Sequence, residues 1–64
     1  MKYKRQCFKH GVLITTDILE LRNDEFLENC SYFNINTKQQ LIDRWNSQVE
    51  SQITKIKWVY NLIE

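Results

Sequence analysis

The sequence contains no proline, no alanine and a single glycine, Gly11, among its 64 residues. A phosphate-binding loop rich in glycine is therefore excluded. Turns have to be built from Asn, Asp, Ser and Thr, whose side chains bond to nearby backbone or tolerate left-handed conformations. Proline, alanine and glycine have G/C-rich codons, whereas Ile, Asn and Lys, which are abundant here, have A/T-rich codons. This bias indicates an A/T-rich genome, such as that of many bacteriophages and mobile elements.

Long hydrophobic runs are also missing, since no stretch approaches the roughly 20 apolar residues of a membrane span. The N-terminal segment, residues 1–7, carries three basic side chains but lacks the apolar segment of a signal peptide. We therefore expect a protein of the cytoplasm, that of a host bacterium if the gene belongs to a phage, without a membrane partner. The length predicts one small domain, 1–64, and a formal net charge of +1 does not by itself require a nucleic-acid partner.

Cysteine and histidine are scarce: Cys7, Cys30 and His10 are the whole set. A disulfide would stabilise so small a fold by about 3 kcal/mol, but a cytoplasmic location disfavours it. Cys7 and His10 have the spacing of half a zinc site, whereas structural zinc needs four such ligands. As a nucleophile and base they lack an orienting group and an oxyanion site. We predict no metal, no cofactor and no catalytic residue, and hence a protein that is not an enzyme.

The first part of the chain predicts a β-hairpin. Residues 2–9 precede the β-branched run 12–15, and both are typical of strands. Lys9-His10-Gly11 is expected to form the turn between them.

Residues 16–30 allow two interpretations. Asp17 and Glu20 have the spacing of a capping box, and a helix after them would bring Leu19, Phe26 and Cys30 to one face. Alternatively the second strand continues to residue 22, Asn23-Asp24 forms a turn, and residues 26–35 form a third strand. We adopt the interpretation with the third strand.

The last part predicts a helix followed by a strand. Thr37 and Gln40 match a capping box, and the helix should end near Val49 or Glu50, with Ser51-Gln52 as the break. One apolar stripe runs along this helix, formed by Leu41, Ile42, Trp45 and Val49. Strand spacing then brings the next apolar side chains to one face, namely those of Ile56, Trp58, Tyr60 and Leu62, with Trp58 turned towards the helix.

A heptad seam competes with this terminal strand, because Val49, Ile53, Ile56, Tyr60 and Ile63 step by four, three, four and three residues. A single helix from Thr37 onwards is therefore an alternative. With the strand, the fold class is α+β, a small antiparallel sheet of three to four strands in the order hairpin, strand, helix, strand. One helix packs on one face, and the last strand lies beside the first strand or beside the strand before the helix.

Nucleic-acid binding is one candidate function. The basic residues concerned are Lys2, Lys4, Arg5, Lys55 and Lys57, which flank aromatic residues when the terminal strands are neighbours. Against this, Trp58 and Tyr60 have the opposite strand parity to the lysines, and basic nucleic-acid-binding domains usually have a pI above about 9.

Protein binding is the function that we favour from the sequence. A core this small has little room for eight aromatic residues, and Trp and Tyr are enriched in interface hot spots. A sheet edge without proline is also a template for another strand, either of a second copy or of a foreign protein. We expect a phage accessory protein that evades host defence by occluding a host complex, polymerase or toxin. The expected contacts are Tyr3, Tyr32 and an acidic turn formed by Asp24, Glu25 and Glu28, which could imitate phosphates.

Overall fold

The computed structural model describes residues 1–47 and 53–64. The elements follow in the order β1 (Lys2–Lys9), β2 (Val12–Glu20), α1 (Asn23–Phe33), α2 (Lys38–Asn46) and β3 (Ile56–Leu62). The predicted helix end near Val49 or Glu50 and the predicted break at Ser51-Gln52 lie outside the described residues. The fold is α+β with a three-stranded antiparallel sheet, and the predicted fold class is confirmed.

Strands β1 and β2 form the predicted hairpin. His10 and Gly11 make the turn with φ angles of 52° and 78°, the left-handed backbone that two-residue hairpin turns require. The register shifts by one residue between Cys7 and Phe8. Because Thr15 pairs with Cys7 and Leu13 with Phe8, Ile14 is the extra residue of a β-bulge.

The C-terminal segment is a strand, so the alternative of a single long helix is wrong. β3 runs antiparallel to β1, with Tyr3 opposite Leu62 and Cys7 opposite Trp58. The strand order is β2-β1-β3. The terminal strand therefore lies beside the first strand, as one of the two predicted arrangements has it, and β1 is the central strand.

The predicted third strand over residues 26–35 is wrong, because residues 26–33 lie in α1 and Asn34 is its C-cap. Arg22 is the N-cap, and the Glu25 carboxylate accepts hydrogen bonds from the Arg22 backbone N–H and side chain. Acidic side chains in the first turn stabilise a helix, because their negative charge lies near the positive end of the helix dipole. Asn34 ends the helix in the left-handed conformation, with φ 56°. Asn23-Asp24, predicted to be a turn, begins the helix.

Helix α2 begins as predicted from its capping box. The Thr37 hydroxyl accepts a hydrogen bond from the Gln40 backbone N–H at 3.1 Å, and the Gln40 side chain accepts one from the Thr37 N–H at 3.0 Å. Leu41 and Ile42 are buried on this helix and form the hydrophobic core with Cys7 of β1. None of the helices in the described part of the chain is long and apolar enough to cross a membrane.

Candidate protein-binding surface

The strand register divides the side chains of the sheet between two faces, because directly opposed residues of an antiparallel pair point to the same side. One face packs against α2. We call the other the open face, because neither described helix covers it. Its members are Lys2, Lys4, Gln6 and Phe8 of β1, Leu13, Thr16, Ile18 and Glu20 of β2, and Lys57, Val59 and Asn61 of β3.

An aromatic cluster joins the covered face to α2. The Trp45 ring lies 5.0 Å from the Tyr3 ring and 5.1 Å from the Tyr60 ring. Tilted ring pairs at these distances add about 0.5–1.5 kcal/mol each to the burial of apolar area. Tyr3, predicted to be an exposed contact for a partner, is therefore half-buried in the fold. Its ring holds the central strand against the helix.

Burial also affects the ionisation of Tyr60. Desolvation raises the pKa of its phenol above the ordinary value, an effect that the nearby Arg5 guanidinium opposes and that Tyr3 reinforces. The neutral phenol is thus the form that suits the covered face.

Arg5 is committed to interactions inside the fold. Its Nη2 donates to Asp17 Oδ2 at 3.1 Å, across the β1–β2 pair. Its guanidinium carbon lies 4.6 Å from the centre of the Trp58 ring, across the β1–β3 pair. Trp58 shares the covered face with Tyr60, as predicted from its parity. The predicted basic set is therefore divided: Arg5 lies on the covered face, whereas Lys2, Lys4 and Lys57 lie on the open face.

The outer edge of β3 is occupied at its centre by α2. The Asn46 side-chain amide donates to the Tyr60 carbonyl and accepts from the Tyr60 backbone N–H, both at 2.8 Å. A side chain thus makes the two bonds that an added strand would make. The other edge strand, β2, has β1 as its single strand partner among residues 1–47 and 53–64. β2 is therefore the edge left available for strand addition.

Exposed apolar side chains are concentrated on β2. Four of its nine residues are large hydrophobic side chains with 46% to 64% of their area exposed, namely Val12, Leu13, Ile14 and Ile18. We call these four residues the β2 apolar patch. Leu13 and Ile18 belong to the open face, whereas Val12 is opposite Lys9 on the covered side and Ile14 is the bulge residue. The patch therefore runs along the edge of the sheet and meets the open face at Leu13 and Ile18. Large exposed apolar patches mark interaction sites.

An open depression of about 350 Å³ lies at the hairpin end of the open face. Phe8, Val59 and Gly11 supply apolar lining, and Lys55 and Lys57 supply the charged lining. Within residues 1–47 and 53–64, no acidic side chain lines it. The depression therefore combines an apolar floor with positive charge.

The predicted acidic turn is the N-terminal part of α1. Arg22 Nε lies 3.4 Å from Asp24 Oδ1 and 3.0 Å from Glu25 Oε1, so a neighbouring cation partly neutralises both carboxylates. Glu28 is exposed one turn later. Tyr32 is 83% exposed, about 12 Å along the helix from Asp24 at 1.5 Å per residue. The predicted contacts are thus spread over a helix, while Tyr3 lies in the sheet.

The residues weighed for metal or nucleophile chemistry do not share one surface. Cys7 is buried on the covered face, and His10 is exposed in the hairpin turn. Cys30 is half-buried on α1, and both cysteines are free thiols.

Sequence reasoning missed the β2 apolar patch. The available signal was the run Val12-Leu13-Ile14, which breaks the alternation expected of a strand with one wet face. Comparisons with protein-family models, with curated proteins and with solved structures give no match to this chain.

Proposed function

We propose that this chain is a small protein-binding module without enzymatic activity, which binds a larger host protein through the β2 apolar patch and the adjoining open face. The observation that supports the proposal most directly is the concentration of exposed apolar side chains on the edge strand β2. Desolvating four such side chains in an interface is favourable, since each contributes about 1.5–3 kcal/mol when fully buried.

The mechanism is stoichiometric occlusion. A standard interface covers about 800 Å² on each partner, whereas the accessible surface of the described chain is 4754 Å². One side of the molecule is thus sufficient to cover a functional surface on a target. The A/T-rich composition supports an origin in a phage or mobile element, where such a protein would evade host defence by blocking a complex, polymerase or toxin.

A capture experiment with a matched control tests this proposal. The tagged chain and its Ile14→Glu and Ile18→Glu variants are exposed to a bacterial lysate, and each retained protein is then purified and mixed with each variant. Tyr32→Glu is the control, because Tyr32 is 83% exposed on α1 and belongs to neither β2 nor the open face. We expect one target that binds the wild type and the control but binds neither of the two β2 variants. A target that binds all variants equally would contradict the proposed surface.

Nucleic-acid binding is the second candidate, favoured by the alignment of Lys2, Lys4 and Lys57 on the open face. Its weakness is the location of Trp58 and Tyr60 on the covered face, where they cannot stack on bases beside these lysines. Titrations with generic single- and double-stranded nucleic acid at several salt concentrations separate the candidates. Affinity that falls steeply with salt, and that is lost in a Lys55→Glu, Lys57→Glu double variant, would support nucleic acid.

A further inference from the structure

One stripe of α1 has chemistry complementary to the depression on the open face. Asp24, Leu27 and Glu28 are spaced i, i+3 and i+4, so they lie on one side of the helix. All three are exposed, with Leu27 at 57%. The stripe therefore presents an apolar side chain beside two carboxylates. The Asp24 carboxylate is shared with Arg22, so Glu28 is the stronger of the two negative charges.

We infer that the depression binds the α1 stripe of a second copy of this chain, in a head-to-tail association. Leu27 of one copy enters the apolar floor formed by Phe8 and Val59. Glu28 approaches Lys57, which is exposed at the rim. Opposite charge on the two surfaces favours this encounter over any pairing of like surfaces.

Charge also decides against a symmetric alternative. Packing two open faces together would bring the Lys4 and Lys57 ammonium groups of both copies into one interface, together with that of Lys2, which lies 3.9 Å from the Glu64 carboxylate. Among the described strand residues of this face, Glu20 is the single acidic one. Like charges brought together without water repel each other strongly, which disfavours this packing. The head-to-tail contact avoids that repulsion, because it joins a basic surface to an acidic one.

This association uses different surfaces on the two copies, so it does not close on itself unless the rotation between copies permits a ring. It also covers Phe8 and Lys57 beside the β2 apolar patch. Self-association therefore competes with a partner that binds the open face. The inference does not depend on the proposed function, because both contact surfaces belong to this chain.

Charge reversal provides the test. Sedimentation velocity of the full chain over a concentration series should show reversible association that weakens with salt. Lys57→Glu and Glu28→Lys should each weaken self-association about tenfold. An equimolar mixture of the two variants should recover self-association. In the mixture, Glu28 of the Lys57→Glu variant can pair with Lys57 of the Glu28→Lys variant. Lys38→Glu, at an exposed lysine on α2, has the same charge change as Lys57→Glu and should associate like the wild type.

Three results would overturn the inference. The first is a wild-type chain that stays monomeric over the whole concentration series. The second is a pair of variants that do not recover association when mixed, although circular dichroism shows both to be folded. The third is loss of association in Ile14→Glu and Ile18→Glu together with unchanged association in Lys57→Glu. That result would assign self-association to the β2 edge.

Discussion

The Asn46 side-chain amide forms two hydrogen bonds of 2.8 Å with the Tyr60 backbone, one as donor and one as acceptor. This pairing attaches the end of α2 to the outer edge of β3. It also makes the sheet asymmetric, because one edge is occupied by a side chain while the β2 edge carries exposed apolar residues. Which edge of the sheet is left open for binding thus depends partly on a contact at the opposite edge, that of β3.

Removing this amide should destabilise the fold. In Asn46→Ala the Tyr60 N–H and carbonyl lose their partners, and water replaces them because the contact is exposed. Hydrogen bonds contribute about 0.5–1.5 kcal/mol each on balance, so we expect a loss of about 1–2 kcal/mol in the free energy of unfolding by urea. Asn61→Ala, an exposed asparagine of the same strand, is the matched control. Equal losses in the two variants would show that the amide pairing has no special role.

Core truncation should have the largest effect on stability. Leu41 is fully buried, and Leu→Ala changes at such sites cost about 2–5 kcal/mol. A domain of this size has a total stability of only a few kcal/mol. We therefore expect Leu41→Ala to be largely unfolded at 37 °C by circular dichroism. Leu27→Ala, at an exposed leucine, should unfold at nearly the wild-type temperature, and a large loss there would contradict the assigned core.

Alkaline pH should destabilise the protein through Tyr60. Because burial raises the pKa of this phenol above its ordinary value of about 10, the native state retains a proton that the unfolded state has released. The stabilisation is complete below the unfolded pKa and is lost as the pH rises through the folded pKa. Urea midpoints measured above pH 9 should therefore fall more steeply for the wild type than for Tyr60→Phe. Tyr32→Phe is the control, because it removes a phenol that is exposed. If the urea midpoints of all three proteins fell in parallel with pH, the prediction would be contradicted.

The ion pair between Arg5 and Asp17 should contribute modestly. More than a third of each side chain is accessible, at 34% and 39%, so solvent screens the attraction. We expect Asp17→Asn to lower the free energy of unfolding by less than about 1 kcal/mol. The difference from the wild type should shrink as salt is added. A difference that is large and independent of salt would show that Asp17 acts through packing instead.

Local patterns were sufficient for the hairpin, for the start of α2 and for the strand character of β3. The turn at His10-Gly11 and the capping box of Thr37 and Gln40 are short-range signals, and each is present in the structure. In the terminal segment the β-branched and aromatic residues outweighed the heptad spacing, because β1 supplies a strand partner along the whole length of β3.

The error at α1 has a physical explanation. Aromatic residues and Cys30 gave residues 26–35 strand propensity, but the Arg22 and Glu25 capping pair and the left-handed Asn34 define a helix at both ends. Phe26, Cys30 and Phe33 follow helical spacing and are all half-buried. Helical spacing of the apolar residues thus outweighs single-residue strand preference in this segment.

The candidate surface was less predictable than the fold. Which edge strand is left open depends on the strand order and on Asn46, which is 14 residues from Tyr60 in the sequence. Contacts over such distances have no local signature. The basic residues were identified correctly as a group, but assigning Arg5 to one face and Lys4 to the other required the register.

The central position of β1 has a consequence for chain connectivity. Residues 2 and 64 are joined by a backbone hydrogen bond of 2.8 Å from the Lys2 N–H to the Glu64 carbonyl, so the two ends of this segment are spatial neighbours. A short linker could join them, with new ends cut at the exposed turn of His10 and Gly11. Such a circular permutant would keep every strand pairing while making β1 and β3 consecutive along the chain. It would also place a fusion tag or a fluorophore at the rim of the depression, as a reporter for any molecule that occupies it.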